Sequence, residues 1–257
     1  MFQPDMLDLV KVLDMSQGKG ITFEVIQYEK LEGHYDKSAP HRYINKLRQV
    51  RAYLNGGELV TESGALQFMK GAINMKVDSS IGSIARGFLG GALTGESSVK
   101  PRYTGSGEIY LEPSYSHFLI LEMDNEEVVA DKGIFYCCEG SIEIGVFTQK
   151  NLSSAIAGGE GLFQTKLKGS GSVVLQSKVP FEQVLIYHLN NEKLQVDGNY
   201  AILRRGAIEF TVEKSTKSII GSARSGEGLL QTYRGTGEVW LIPALRFVDG
   251  GNSLLSV

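Results

Sequence analysis

The chain has 257 residues, with 26 Lys plus Arg against 29 Asp plus Glu and a formal net charge of −3. An apolar fraction of 42% excludes a disordered chain, and 31 Gly without a G-X-Y period exclude collagen. A slightly acidic balance supplies no field to hold a polyanion, so no nucleic-acid partner is expected.

In chain order, residues 1–44 read as an N-terminal extension with one strand, Ile21 to Tyr28 (ITFEVIQY). The opening MFQPDMLDLVKVLDMSQGKG carries Asp5, Asp8 and Asp14 and no basic n-region, so a signal peptide is not expected. No uncharged apolar run reaches the ~18 residues of a membrane span. The cysteines are one adjacent pair, Cys137 and Cys138, which is no secreted disulfide scaffold. Together these predict a cytoplasmic protein.

Beyond residue 44 the chain repeats itself. ELVTESGALQFMKGAINM from Glu58, EVVADKGIFYCCEGSIEI from Glu127 and KLQVDGNYAILRRGAIEF from Lys193 align, with Gly71, Gly140 and Gly206 in register. A second block follows each: GESSVKPRYTGSGEIYLEP from Gly95, GEGLFQTKLKGSGSVVLQS from Gly159 and GEGLLQTYRGTGEVWLIP from Gly226. This divides the chain into β repeats over 45–113, 114–180 and 181–257. The strands from Leu47, His117 and Phe181 open them, and Ala244 to Val248 forms a closing C-terminal strand. Short alternating runs with turn signals at Asn55-Gly56-Gly57, Asn190-Asn191 and Asp197-Gly198-Asn199 make every unit β. A β unit of about 65 residues is marginal alone. The expectation is therefore one rigid, closed, pseudo-threefold all-β body.

The second block contains G-x-G-x-[IV]-x-L, which places Gly105 and Gly107, Gly169 and Gly171, and Gly235 and Gly237 on one strand face with two apolar residues. A repeated pair of absent side chains implies a close approach, by a neighbouring strand or by a ligand. Tyr110, Val174 and Trp240 take the outward position of these strands. Tyr103 and Tyr233 sit beside Arg102 and Arg234, a pairing able to stack a nucleobase or an indole.

The ALQFM strand (Ala65 to Met69), the Gly-rich stretch ending in LTGES (Leu93 to Ser97) and the G-x-G strands together resemble the altered-inheritance-of-mitochondria protein 24 family. The resemblance covers roughly Leu47 to the end. It implies three tandem units like the tryptophan RNA-binding attenuation protein (TRAP), a short double-stranded β-helix. It also implies a link to membrane organisation in mitochondrial relatives, and no catalytic residues. KLEGHYDKSAPHRYINK is more polar than a typical member before Leu47.

Three candidate sites follow. In SIGSIARGFLGGALTGES, Ile84, Phe88 and Leu89 share one helical face, either a cap on the β core or a surface for a protein partner or a peripheral membrane contact. A single Arg86 is sparse for an amphipathic membrane binder. Gly90 to Ser97 lies one residue from a phosphate-binding loop, but Glu96 replaces the lysine that would neutralise phosphates, so nucleotide binding is rejected. Glu96, Glu160 and Glu227 are equivalent across the repeats. Converging, they would form a carboxylate ring for a hard cation; diverging, they are solvated turns. The four histidines lack metal-ligand spacing, and alternation places one of Cys137 and Cys138 in the core. The sequence thus points to a non-enzymatic β scaffold or binding module with no cofactor. The alternative is a small-molecule or metal-binding protein using the Gly-flanked loops. Monomer and homo-oligomer both stay open.

Overall fold

The computed structural model describes residues 10–32, 46–77, 100–148, 163–214 and 229–243. These form one large antiparallel sheet and a single 3-10 turn, Phe181–Gln183. The strands are β1 (Val10–Gly18), β2 (Ile21–Glu32), β3 (Lys46–Thr61), β4 (Leu66–Val77), β5 (Pro101–Leu111) and β6 (His117–Ala130). They continue with β7 (Phe135–Glu139), β8 (Glu143–Thr148), β9 (Phe163–Ser177), β10 (Leu185–Asp197), β11 (Ala201–Lys214) and β12 (Leu229–Leu241). The main path runs β1-β2-β3-β7-β9-β6-β11-β12-β10.

The N-terminal extension holds two strands, not one. β1 pairs with β2 along its whole length. The sequence hides β1 because five consecutive residues after Val10 are exposed, so its pattern carries no buried face.

One pairing scheme recurs. β5 lies between β3 and β4, β12 lies between β10 and β11, and β9 lies between β6 and the pair β7 and β8. The central strand in each case is the G-x-G strand. Its partner crosses it glycine on glycine, Gly71 opposite Gly107 and Gly206 opposite Gly237. A Cβ built on Gly206 would lie 2.8 Å from Gly237 Cα, and one on Gly71 2.6 Å from Ser106 O. Both glycines have positive φ, 90° and 119°, a region closed to most L side chains.

The turn expected at Asn55-Gly56-Gly57 is instead a bulge inside the continuous strand β3, where the register shifts between Asn55 and Glu58. β10 runs through Asn190-Asn191 in the same way. Gly56, Asn125 and Asn191 occupy equivalent positions and have φ of 81°, 48° and 55°. The left-handed residue lets the strand kink without ending, which is why Gly and Asn, both turn formers, stand there.

The core lies on both faces of the central strands. Leu59, Cys137 and Val174 enter one cluster with Phe23, Val50, Tyr103 and Ile109. Their chain neighbours Val60, Cys138, Val173 and Leu175 enter another with Leu121, Leu167 and Trp240. A third surrounds Phe210, Tyr233 and Val239. Strands covered on both sides read as continuous apolar runs rather than alternations. Two expectations fail for this reason: both cysteines are buried, and Tyr110, Val174 and Trp240 are buried rather than outward.

The expected closure does not form among the described residues. β4 pairs with β5 alone and β10 with β12 alone, so the sheet has free edges. The segment from Ala244, proposed as the closing strand, lies outside the described residues apart from its approach through Ile242.

Candidate functional site

β3 ends at Thr61, and the turn that follows carries Glu62 to Ala65 into β4. Three backbone bonds fix this corner: Glu62 N to Tyr136 O at 2.8 Å, Glu112 N to Ala65 O at 2.7 Å, and Ala65 N to Glu62 O at 3.3 Å. The corner borders a cleft of about 580 Å³ lined by Glu62, Ala65, Glu112, Ser114, Tyr136 and Gln176. Lys100, just ahead of β5, forms an ion pair with Glu62 and lies 5.3 Å from the Phe135 ring centroid. The Tyr136 hydroxyl donates to Glu112 O at 2.8 Å, and burial raises its pKa, with nearby Cys137 and Glu112 adding to the rise. Ser114 Oγ accepts from Ser116 N at 3.0 Å and from Gln176 Nε2 at 3.2 Å. Carboxylates, an amide and a phenol facing a modest cleft suit a small polar ligand.

A second polar cluster is buried where β1 crosses β7 and β9. Glu139 accepts from Ser172 N at 2.8 Å and from Lys19 N at 3.3 Å. Ser172 Oγ stands 3.0 Å from Glu139 Oε1, 3.2 Å from Glu122 Oε2 and 2.6 Å from Ser16 Oγ. These bonds satisfy a carboxylate that burial would otherwise penalise, and they tether the N-terminal hairpin to β7 and β9. The sequence marks Glu139 by contrast: its equivalents are Lys70 and Arg205, both basic.

Arg204 supplies a third polar feature. Its guanidinium lies 4.5 Å and 4.8 Å from the Phe147 and Phe210 ring centroids, and Nη1 donates to Gln164 Oε1 at 2.6 Å. Burial lowers its pKa to about 10, opposed by Tyr233, Asp131 and Glu127.

Glu96, Glu160 and Glu227 lie outside the described residues, as do Ile84, Phe88 and Leu89. The six glycines of the G-x-G strands all have positive φ, between 126° and 154°. The space beside Gly105, Gly107, Gly235 and Gly237 is filled by carbonyl oxygens of the flanking strand, and beside Gly169 and Gly171 by Ser141. Tyr103 and Tyr233 are buried, and Tyr233 donates to Gln231 Oε1 at 2.7 Å, so neither presents a face for a base to stack on. Arg102 and Arg234 pair with Glu58 and Glu213 at 3.3 and 2.6 Å. Among the described residues, no three His, Cys, Asp or Glu side chains are grouped to hold a metal ion. No described helix is long and apolar enough to cross a membrane.

Comparison with known proteins adds three findings. An uncharacterized protein of Streptococcus pyogenes serotype M6 is 24% identical over 195 residues, covering 74% of this chain and 75% of its own length. The crystal structure of a Streptococcus pyogenes protein superposes with a TM-score of 0.56 at 17% identity, covering 91% of this chain and 94% of that one; at that identity the likeness speaks for the fold. The model of the family described as Mitochondrial biogenesis AIM24 matches residues 42–244. The chain therefore belongs to the AIM24 family.

Proposed function

We propose that this chain is a non-enzymatic β scaffold or binding module built from three tandem TRAP-like units and working in the cytoplasm against a protein partner or a membrane-associated assembly. The observation that carries the reading is the recurrence of one three-strand pairing scheme, centred each time on a G-x-G strand. Its buried polar groups are engaged in holding strands together: Glu139 ties down β1, and Lys100 is matched by Glu62. The apolar stretch with Ile84, Phe88 and Leu89 supplies the contact surface. Liposome co-sedimentation and partner capture with a Phe88→Asp, Leu89→Asp pair test this. Loss of binding by the pair, with an unchanged circular dichroism spectrum, supports the surface. Binding equal to wild type, or turnover of ester, phosphate or peptide substrates that co-purifies with the protein, overturns the reading.

A second reading, a small-molecule-binding protein, is favoured by the cleft between Glu62 and Gln176. A thermal-shift screen with metabolites and cations tests it. A shift abolished by Gln176→Ala supports the cleft as the site. A cation shift abolished by Glu96→Gln, Glu160→Gln or Glu227→Gln supports the carboxylate set.

A further inference from the structure

Two joints link successive units, and they use the same register. At the first, Leu59, Val60 and Thr61 pair with Glu139, Cys138 and Cys137. At the second, Val128, Val129 and Ala130 pair with Arg205, Arg204 and Leu203. These positions are equivalent in the sequence alignment, residue for residue. The flanking backbone bonds match too, Glu62 N to Tyr136 O and Asp131 N to Ile202 O at 2.8 and 2.9 Å.

Both halves of a third joint are present and unpaired among the described residues. Its first half is Leu194, Gln195 and Val196 on β10, and its second is Lys70, Met69 and Phe68 on β4. Phe68 and Met69 are 47% and 41% exposed, whereas their equivalents Cys137, Cys138, Leu203 and Arg204 are all buried. An edge strand with exposed apolar side chains and unpaired backbone is a template for another strand. The charges also match. Arg205 pairs across the second joint with Glu126 at 3.5 Å, and the equivalents of these two residues at the open joint are Lys70 and Glu192.

We propose that β4 of one copy of this chain pairs with β10 of a second copy, antiparallel, with Phe68 opposite Val196, Met69 opposite Gln195 and Lys70 opposite Leu194. The proposal rests on the three-unit reading. The interface is head-to-tail, so it repeats from copy to copy and gives a ring where the rotation closes. It covers Phe68 and Met69, and brings Lys70 to Glu192.

The test uses two variants of the full chain that each add one cysteine, Met69→Cys and Gln195→Cys, mixed and oxidised. Directly opposed residues of an antiparallel pair lie ~4.5–5.5 Å apart, within disulfide reach; the native Cys137 and Cys138 are buried and do not compete. The expected result is a cross-linked heterodimer in the mixture and none when Lys70→Cys replaces Met69→Cys, because that residue faces the other way. Sedimentation of the wild type is expected to show more than one chain per particle, and Met69→Pro, which removes an edge donor, to shift it towards single chains. A cross-link confined within one chain of the Met69→Cys, Gln195→Cys double variant, with none in the mixture, overturns the copy-to-copy pairing and leaves the three-unit reading standing. No cross-link in either, from variants with wild-type circular dichroism, overturns both.

Discussion

The two joints inside the chain share a backbone register and little else. The first is apolar: Leu59, Val60, Cys137 and Cys138 are buried with no charged group between them, and Glu139 turns towards the β1 hairpin instead. The second is cationic. Arg204 lies against two aromatic rings, and Arg205 pairs with Glu126 and Glu238 at 3.5 and 2.7 Å. What repeats is the strand pairing and its register. Side chains at the joint are free to change provided each new polar group finds a partner. The open edges of β4 and β10 extend the comparison, offering Phe68 and Met69 where the first joint has cysteines.

The largest effect is expected at the glycine crossing beside the second joint. Gly206→Val forces a branched side chain into positive φ against Gly237 Cα, costing ~3–5 kcal/mol from strain and collision together. Urea unfolding measures it. Leu59→Ala empties the apolar joint and costs about 3 kcal/mol, whereas its equivalent at the second joint, Val128, is a smaller side chain. Away from both joints, His117 at the start of β6 has its pKa lowered to about 4 by burial, with Arg48 adding to the shift and Glu182 opposing it. Between pH 6.5 and about 4 the unfolded chain binds this proton and the folded chain does not. Stability therefore falls as pH drops through that window, by ~1–2 kcal/mol, and a His117→Gln variant loses this part of the pH dependence. The smallest effect is expected at the cationic joint. Arg204→Met keeps the volume between Phe147 and Phe210 and removes a buried charge whose Nη2 has no hydrogen-bond partner. Its change is expected to stay within about 1 kcal/mol, and a loss above 3 kcal/mol would show that the guanidinium holds the joint together.

Much of the β character was readable from alternation: Ile21, Phe23 and Val25 mark β2 and are buried on one face. The glycine crossings were readable too, because a missing side chain leaves its mark in the sequence itself. β1 was not, since its contacts are mostly backbone bonds to β2, and backbone bonds leave no residue signature. Trp240 and the cysteine pair were misplaced because alternation assumes one buried face, and the central strands have two. Of the candidate sites, the cleft at Glu62 was invisible. It is assembled from residues as far apart as Glu62 and Gln176, whose meeting depends on strand pairing far apart in the chain rather than on spacing. Gly56 and Asn191 carry turn chemistry, but inside a long strand that chemistry makes a bulge rather than a turn.

The burial of β7 on both sides gives the molecule a built-in clock. Burial holds both thiols protonated, pushing their pKa values up, and an alkylating reagent reacts with the thiolate. Neither sulfur can be modified until β7 parts from its neighbours β3 and β9. The labelling rate therefore reads the opening equilibrium of this one joint. If the joint opens only with the whole body, labelling and global unfolding share one urea dependence. If β7 opens first, labelling runs ahead of unfolding, and the seam between β3 and β7 is where the chain begins to come apart.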